Sequence, residues 1–491
     1  MNPTDQTLGL LKGVYEGGLA KAGNTVTTGT GLVAYDLQAP SKNLYPVITI
    51  LGKRIPRVRG KGGTATNWRQ VNSIIGSGWD NSGWVPEGQR AGVMSLNASN
   101  KAASYATLGE EGALTFEAVS AAKGFEDERS LVSMRVLQKA MLKEEAAILG
   151  GNASLALGTA NTPTLSATGT GASLPTATYS VIVVGLTFEG YQNSSVANGV
   201  ATSKTVTGQD GQTFPLNGGS GMKSTNATQA VTLGQTLTAT VVAKSGELAW
   251  AWFVGTAGSE KLQSITTVPS ATFSAPLNSG SQAATAVTAD SSQNANTAFD
   301  GLLTTAFNSG TAYTKQFAGA TLTASGRGTV VEIDTMLRAL WDQYRVSPSI
   351  LLVNSQEQNN ITTKVLSGST ANSVTPLLRQ NVTVGGDGEI RAGQVVSFYY
   401  NPFCLGQGKM IPVVLHPNVP PGTILAYAED LPAQYQNDNV PNVAEMHIRR
   451  DWYDIEWPPV TRSYQHGIYV EEVLAVYAPF AMAVLSGIGN G

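Results

Sequence analysis

The sequence is poor in charged residues. Lys, Arg, Asp and Glu make up 13% of its 491 residues, about half of the roughly 25% that is usual in soluble domains. The 31 basic and 34 acidic residues leave a net charge of -3, which predicts neither a nucleic-acid footprint nor an acidic tail. A surface with so little charge is expected to be covered by neighbouring molecules, although β-rich adhesins share this trait.

Disulfides and long apolar runs are also absent. With a single cysteine, Cys404, the chain cannot form a disulfide within itself, so stability must come from packing or assembly. The N-terminus has no signal-peptide pattern. The most apolar stretch near the C-terminus, residues 473–488, is short and is interrupted by Pro479, which argues against a membrane span. We therefore expect synthesis and assembly in a cytoplasm.

The sequence offers no recognisable reactive centre. His416, His447 and His466 are scattered without metal-ligand spacing, and the glycine-rich runs do not match a phosphate-binding loop. The adjacent pairs Glu110–Glu111 and Glu144–Glu145 cannot form acid/base dyads, because neighbouring side chains point apart in strands and helices. We predict no catalytic, cofactor-binding or metal site, and a protein that is not an enzyme.

Two extended stretches near the front of the chain predict a long β-hairpin. The first covers residues 44–60 and the second about 94–116, with a glycine-rich loop between them. An arm of about 17 residues would reach roughly 55 Å. Because an isolated ribbon is unstable in water, we expect this one to lie across an adjacent copy. Three tryptophans concentrate in or near the loop: Trp68, Trp79 and Trp84.

A cluster of basic residues lies on the first stretch: Lys53, Arg54, Arg57, Arg59 and Lys61. It could be a solvated strand face or a nucleic-acid patch, but the overall charge disfavours the second interpretation. We favour a third, an intersubunit ion-pair surface that includes the three tryptophans. The acidic residues expected to take part in it are Glu110, Glu111, Glu126, Asp127 and Glu128.

The rest of the chain alternates between helical and β-rich segments. Apolar residues at helical spacing predict helices over 126–149 and 329–344. Between them, residues 160–290 contain only nine charged residues and many short β runs, which indicates an inserted all-β sandwich. The strands predicted in it are 178–187, 229–244, 249–254 and 270–275. The last third is β-rich. Residues 395–400 and 410–415 are predicted to flank a hairpin, 385–388 to form a tight glycine turn, and 447–457 and 465–477 to be two further strands. The sequence therefore predicts an α+β fold with an inserted β domain.

Several stretches resemble the major capsid proteins of tailed bacteriophages, the fold named after phage Hong Kong ninety-seven. They are AYDLQAP at 34–40, RIPRV at 54–58, GTATNW at 63–68, EEAAILGGN at 144–152, RRDWYD at 449–454 and VEEVL at 470–474. The resemblance covers residues 1–155 and 290–491. The middle segment is instead similar to immunoglobulin-like modules displayed on phage shells.

The resemblance implies a division into named parts. These are an N-terminal arm (1–43), an extended loop with flanking strands (44–118), a spine helix with part of the peripheral domain (119–159), an inserted immunoglobulin-like β domain (160–288), an axial domain (289–440), and peripheral C-terminal strands that return to the axial domain (441–491).

The resemblance also implies a function. The chain would self-assemble into hexamers and pentamers of an icosahedral virion head, which encloses double-stranded DNA without sequence-specific binding. Its other expected partners are a separate scaffolding protein, a portal and decoration proteins, with no cofactor and no membrane. Two alternatives stay open: an encapsulin-like protein compartment, distinguished by cargo protein in place of DNA, and a β-rich adhesin or tail component, distinguished by loss of function when 160–285 is deleted.

Overall fold

The computed structural model describes residues 47–60, 62–73, 84–92, 97–123, 127–295, 297–325, 328–367, 396–406, 408–431, 442–459 and 461–491. The predicted N-terminal arm, and a glycine turn predicted at 385–388, lie outside these ranges.

Helices and strands are both abundant, which confirms the α+β class. The helices are α1 (Leu51–Arg54), α2 (Phe116–Ala122), α3 (Glu128–Gly150), α4 (Phe188–Asn193), α5 (Leu302–Ser309), α6 (Val331–Tyr344) and α7 (Ser355–Ser367). The strands of the first part are β1 (Arg57–Arg59), β2 (Ala65–Ser73), β3 (Asn97–Ser104), β4 (Ala106–Thr115), β5 (Thr164–Thr168), β6 (Ala177–Leu186), β7 (Ser203–Thr207), β8 (Thr213–Asn217), β9 (Ala227–Val231), β10 (Thr236–Thr240), β11 (Ala249–Gly255), β12 (Lys261–Thr266) and β13 (Ser270–Phe273). Those of the second part are β14 (Tyr313–Gln316), β15 (Ile350–Val353), β16 (Phe398–Asn401), β17 (Lys409–Leu415), β18 (Ile424–Tyr427), β19 (Ala444–Trp457), β20 (Ser463–Val476) and β21 (Met482–Ser486).

The long helix α3 packs against a four-stranded sheet of order β1-β19-β20-β4, where it contacts β4 and β20. The strands β19 and β20 pair antiparallel along 14 residues each, and the short β1 joins β19 in parallel. Helix α3 starts where the Asp127 carboxylate accepts hydrogen bonds from the N–H groups of Arg129 and Ser130, a helix N-cap. The predicted helix over 126–149 is therefore present with its start shifted by two residues.

A six-stranded mixed sheet has the order β14-β21-β18-β15-β17-β16. Alternate residues of its central strands enter two different cores. Leu352 and Leu425 belong to the core shared with α3 and α5, whereas Leu351 and Ile424 belong to the core shared with α6. Both faces of the central strands are thus buried, which is why Ile350–Val353 is apolar at every position.

The inserted segment is a two-layer β-sandwich. One sheet has the order β13-β10-β5 and the other β12-β11-β6-β9, and their inner faces share a core that contains Trp250, Trp252 and Phe273. The run from 229 to 244, expected as one strand, is divided between the two sheets. Gly234 turns the chain there with a φ of +92°, a conformation that favours glycine. The immunoglobulin-like topology stays a prediction.

The predicted front hairpin is wrong in its first arm. The strand that pairs with β3 is β2, in the register Trp68 opposite Lys101, whereas the stretch before it forms α1 and β1. The physical reason is a tertiary contact: the buried Glu145 carboxylate accepts the N–H groups of Ile50, Leu51 and Gly52, which requires the chain to turn there. The second predicted arm is likewise divided, because β4 pairs with β20.

Candidate intersubunit surfaces

The ribbon formed by β2 and β3 lies with one face on its own chain. The indole Nε1 of Trp68 donates to the carbonyl of Val476 at 3.0 Å, the N–H of Val71 donates to the carbonyl of Tyr477 at 3.0 Å, and Gln70 is buried. Arms of nine and eight residues reach about 30 Å. The expectation that the whole ribbon must rest on another copy is therefore wrong for its described part.

The opposite face of the ribbon is open and polar. Asn67 and Arg69 on β2 and Asn100 and Ala102 on β3 alternate with the residues that face the body, and all four are exposed. In the loop between the strands, Trp84 is 92% exposed. Trp79 lies outside the described residues. The outer face of the ribbon and Trp84 are thus what this segment can offer to a neighbour.

Two residues of the predicted basic cluster are already paired within the chain. A nitrogen of Arg54 lies 2.7 Å from a carboxylate oxygen of Glu429. Arg57 contacts the carboxylates of Glu144, Asp451 and Glu472. Lys53 and Arg59 are exposed and make no ion pair with a described residue. Lys61 lies outside the described ranges.

The predicted acidic partners also act within the chain. Glu110 pairs with Lys139 and Lys143 on α3. Burial disfavours the ionised form of Glu110, but the hydrogen bonds from these two lysines outweigh it and hold the pKa of Glu110 below its ordinary value. Glu111 accepts a hydrogen bond from the Tyr469 hydroxyl.

The remaining acidic residues lie at the start of α3. Asp127 caps the helix, Glu128 lies half-buried in its first turn, and Glu126 falls outside the described residues. Within one copy, the basic residues Arg54 and Arg57 therefore have different partners from the acidic residues Glu110, Glu111 and Asp127. That they also contact a neighbouring copy stays a prediction.

Among the described residues, the six-stranded sheet has a solvent-exposed apolar end that the sequence did not reveal. Its β16–β17 end carries Phe398 and Tyr400 opposite Pro412 and Met410, with Leu405 in the connecting loop. Phe398 is 58%, Tyr400 50%, Met410 56% and Leu405 79% exposed. We call Phe398, Tyr400, Leu405, Met410 and Pro412 together the open sheet face. Tyr399, between the two exposed aromatics, is buried in the α6 core. Because all three consecutive residues are aromatic, the sequence shows no alternation of polar and apolar residues that would identify the exposed face.

The open sheet face is the continuation of a face that is covered elsewhere. On β18 and β21, residues of this side, such as Leu425 and Val484, are fully buried under α3, α5 and their surroundings. That cover ends before β16, the edge strand of the sheet. Edge strands with exposed apolar side chains favour association with another molecule.

Two of the histidines, His416 and His447, have hydrogen-bond partners within the chain, whereas the buried Nε2 of His466 has none among the described residues. The Nε2 of His416 lies 2.8 Å from the Glu145 carboxylate in a buried site, and its Nδ1 accepts the N–H of Asn418. The Nε2 of His447 lies 2.8 Å from the Tyr477 hydroxyl. Cys404 is half-buried. Within the described ranges, no group of three or more His, Cys, Asp or Glu could hold a metal ion, and no helix is long and apolar enough to cross a bilayer.

Comparisons with known proteins give structural neighbours only. No family model matches the sequence, and no curated protein is significantly similar to it. Solved structures with a similar fold include the capsid of an empty GTA particle, with 9% identity, a TM-score of 0.43, and coverage of 94% of this chain and 98% of that one.

Two phage capsids give comparable values. For Myoviridae phage XM1 the identity is 10% and the TM-score 0.41, with 94% of this chain and 99% of the other covered. For cyanophage A-1(L) the identity is 10% and the TM-score 0.39, with 95% and 99% covered. With TM-scores below 0.5 these likenesses carry no argument, and the function is inferred from the chain's own residues.

Proposed function

We propose that this chain is the shell-forming subunit of a tailed-phage capsid, a major capsid protein that assembles with copies of itself around double-stranded DNA. The observation that carries the proposal is the open sheet face. Contiguous exposed apolar side chains are typical of surfaces that bind another protein. In a chain with 13% charged residues, such a face is best explained by a second copy that covers it.

The sequence resemblance supports the form of the assembly. Those of its motifs that lie among the described residues fall in or next to β1 and β2, at the end of α3 and along β19 and β20, which belong to the four-stranded sheet, its helix and the ribbon. A subunit of a closed shell needs rigid bodies joined by contacts that close into rings. We infer hexamers and pentamers in which the open sheet face of one copy packs on a different surface of the next.

The other parts take roles that follow from this arrangement. Residues 44–118 would extend onto a neighbour through the outer face of the ribbon and Trp84. The sandwich within 160–288 would project outward from the shell. A separate scaffolding protein, a portal and decoration proteins would complete the particle, and the DNA would be held without sequence-specific contacts.

A substitution that introduces a negative charge into the open sheet face tests the proposal. The Met410→Glu variant and the unchanged chain are each expressed with a scaffolding protein and imaged by electron microscopy. Because Met410 is exposed in the single copy, the variant should fold with a stability within about 0.5 kcal/mol of the parent. It should nevertheless form few or no shells, since a buried unpaired carboxylate opposes the contact.

Leu233→Glu is the matched control. Leu233 is 75% exposed in the turn between β9 and β10 of the sandwich, so the same change of charge falls on an apolar residue outside the proposed contact. Shells should form normally with this variant. If the unchanged chain gives only a small discrete oligomer, the capsid proposal fails. A shell that contains cargo protein and no DNA would indicate the protein-compartment alternative.

A further inference from the structure

Two carboxyl groups meet in the interior where β1, α3 and β20 come together. The side chain of Glu472 on β20 is fully buried, and Glu144 on α3 is 3% exposed. In the four-stranded sheet, Glu472 lies between Ile448 on β19 and Ala106 on β4, so its sheet neighbours carry no charge. Both carboxyl groups face the same guanidinium, that of Arg57 on β1.

Within the described ranges, one cationic side chain, that of Arg57, contacts both Glu144 and Glu472. The guanidinium of Arg57 on β1 contacts Glu144 and lies 3.3 Å from Glu472. Its other carboxylate contact, Asp451 on β19 at 3.1 Å, has a side chain that is 67% exposed and therefore solvated. On the same strand as Glu472, the next residue Glu471 pairs with Arg449 instead. One positive charge can neutralise one buried carboxylate, and a second unpaired carboxylate in such a site is strongly disfavoured.

A missing hydrogen-bond donor points to the same conclusion. The Oε1 atom of Glu472 is buried and has no hydrogen-bond donor among the described residues. Two ionised carboxylates cannot hydrogen-bond each other, because both are acceptors only. A proton on one of them supplies the donor. Burial and the neighbouring Glu144 raise the pKa of Glu472 to about 9, against the opposing effect of Arg57.

We propose that Glu144 and Glu472 hold one shared proton and form, together with Arg57, a latch that fastens β1 and the end of α3 to the four-stranded sheet, and that loss of this proton loosens β1. Strand β1 spans three residues and its sheet partner is β19, so the Arg57 contacts are a large part of what holds it. The chain continues from β1 directly into the ribbon of β2 and β3. The latch is independent of the proposed shell function.

The direction of the pH dependence follows from the raised pKa. An ordinary glutamate has a pKa near 4.5, and Glu472 has one near 9. Between these two values the folded chain binds a proton that the unfolded chain lacks. The contribution of Glu472 to stability is therefore complete below about 4.5 and is lost as the pH rises towards 9, by up to about tenfold in the unfolding constant per pH unit.

Glu472→Gln tests the latch, because glutamine keeps the shape and supplies an N–H donor without titrating. Hydrogen exchange of the β1 amides is measured on the full chain from about pH 6 to pH 10 and corrected for the intrinsic pH dependence of exchange. In the parent chain, protection of Val58 and Arg59 should fall at least tenfold across this range. In the variant it should stay constant.

Glu471→Gln is the control on the same strand, and its profile should match that of the parent. Equal profiles for the parent and Glu472→Gln would overturn the proposal. If Glu472→Gln does not fold, Glu144→Gln, which leaves one carboxylate facing Arg57, should also give constant protection. Infrared spectra of the parent give a readout that needs no variant: a buried carboxylic-acid carbonyl band should be present at neutral pH and vanish near pH 9 to 10. Its absence at neutral pH contradicts the shared proton.

Discussion

The inserted sandwich and the six-stranded sheet bury apolar surface in different ways. In the sandwich, each sheet covers the other, and the core between them contains Trp250 and Trp252, both fully buried. In the six-stranded sheet, the cover on one face stops before β16 and leaves Phe398 and Tyr400 open. The sandwich is thus stabilised by its own packing, whereas the sheet keeps an apolar surface for another molecule. Changes in each region should separate stability from assembly.

The largest loss of stability is expected in the sandwich core. Trp252→Ala removes a fully buried indole whose Nε1 donates to the Thr266 hydroxyl at 2.8 Å, and should lower the free energy of unfolding of the sandwich by about 3–5 kcal/mol. Denaturant unfolding measures this loss. Trp84→Ala, at a site that is 92% exposed, should change it by less than about 0.5 kcal/mol. Equal losses would show that the sandwich does not depend on its internal core.

An intermediate loss is expected where Glu145 joins α3 to α1. Glu145→Gln weakens the hydrogen bonds from His416 and from the N–H groups of Ile50 and Leu51, and should cost about 1–3 kcal/mol. Because Glu145 lies in the body and not in the sandwich, the loss should also reduce the yield of shells. Thermal unfolding and particle counts measure the two effects.

The pH dependence at Glu145 is opposite in sign to that at Glu472. Burial disfavours the charge on Glu145, but the hydrogen bonds from His416, Leu51 and Gly52 outweigh burial and lower its pKa. Its contribution to stability is therefore present above the ordinary pKa of a glutamate and is lost as the pH falls through the folded-state value. The parent chain should lose stability in acid more steeply than Glu145→Gln. The same acid slope in both would contradict the assigned hydrogen bonds.

The smallest effect is expected at a surface ion pair. Arg54→Ala removes the contact with Glu429, in which both side chains are partly exposed, and should lower the free energy of unfolding by no more than about 1 kcal/mol. Screening by salt should reduce the difference between parent and variant further. Urea unfolding at low and at about 1 M salt measures it. A loss as large as that of Glu145→Gln would mean that this pair anchors α1.

The sequence predicted the elements whose pattern is local. Helix α6 has one apolar stripe, and β6, β11, β19 and β20 are long β-prone runs, so the predicted and observed ranges agree closely. The hairpin of β16 and β17 was also predicted and is confirmed by their antiparallel pairing. Elements fixed by distant partners were missed, because α1 turns around the carboxylate of Glu145 and β4 pairs with β20.

The candidate surfaces were less accessible to sequence reasoning. The adjacent Glu144 and Glu145 point to different partners, as their spacing predicts, but nothing local indicates that one shares Arg57 with Glu472 and the other binds His416. Similarly, the run Phe398-Tyr399-Tyr400 is apolar on both faces. Only the arrangement of the whole sheet decides which aromatic ring is left in solvent.

The position of β21 constrains the order of events during synthesis. This strand lies between β14 and β18, although it follows β14 by more than a hundred residues in the chain. On the ribosome, β14 therefore has no strand to pair with in this sheet until residues 482–486 have emerged, and contacts over such separations form slowly. The six-stranded sheet is therefore completed only after the whole segment from β14 to β21 has been synthesised.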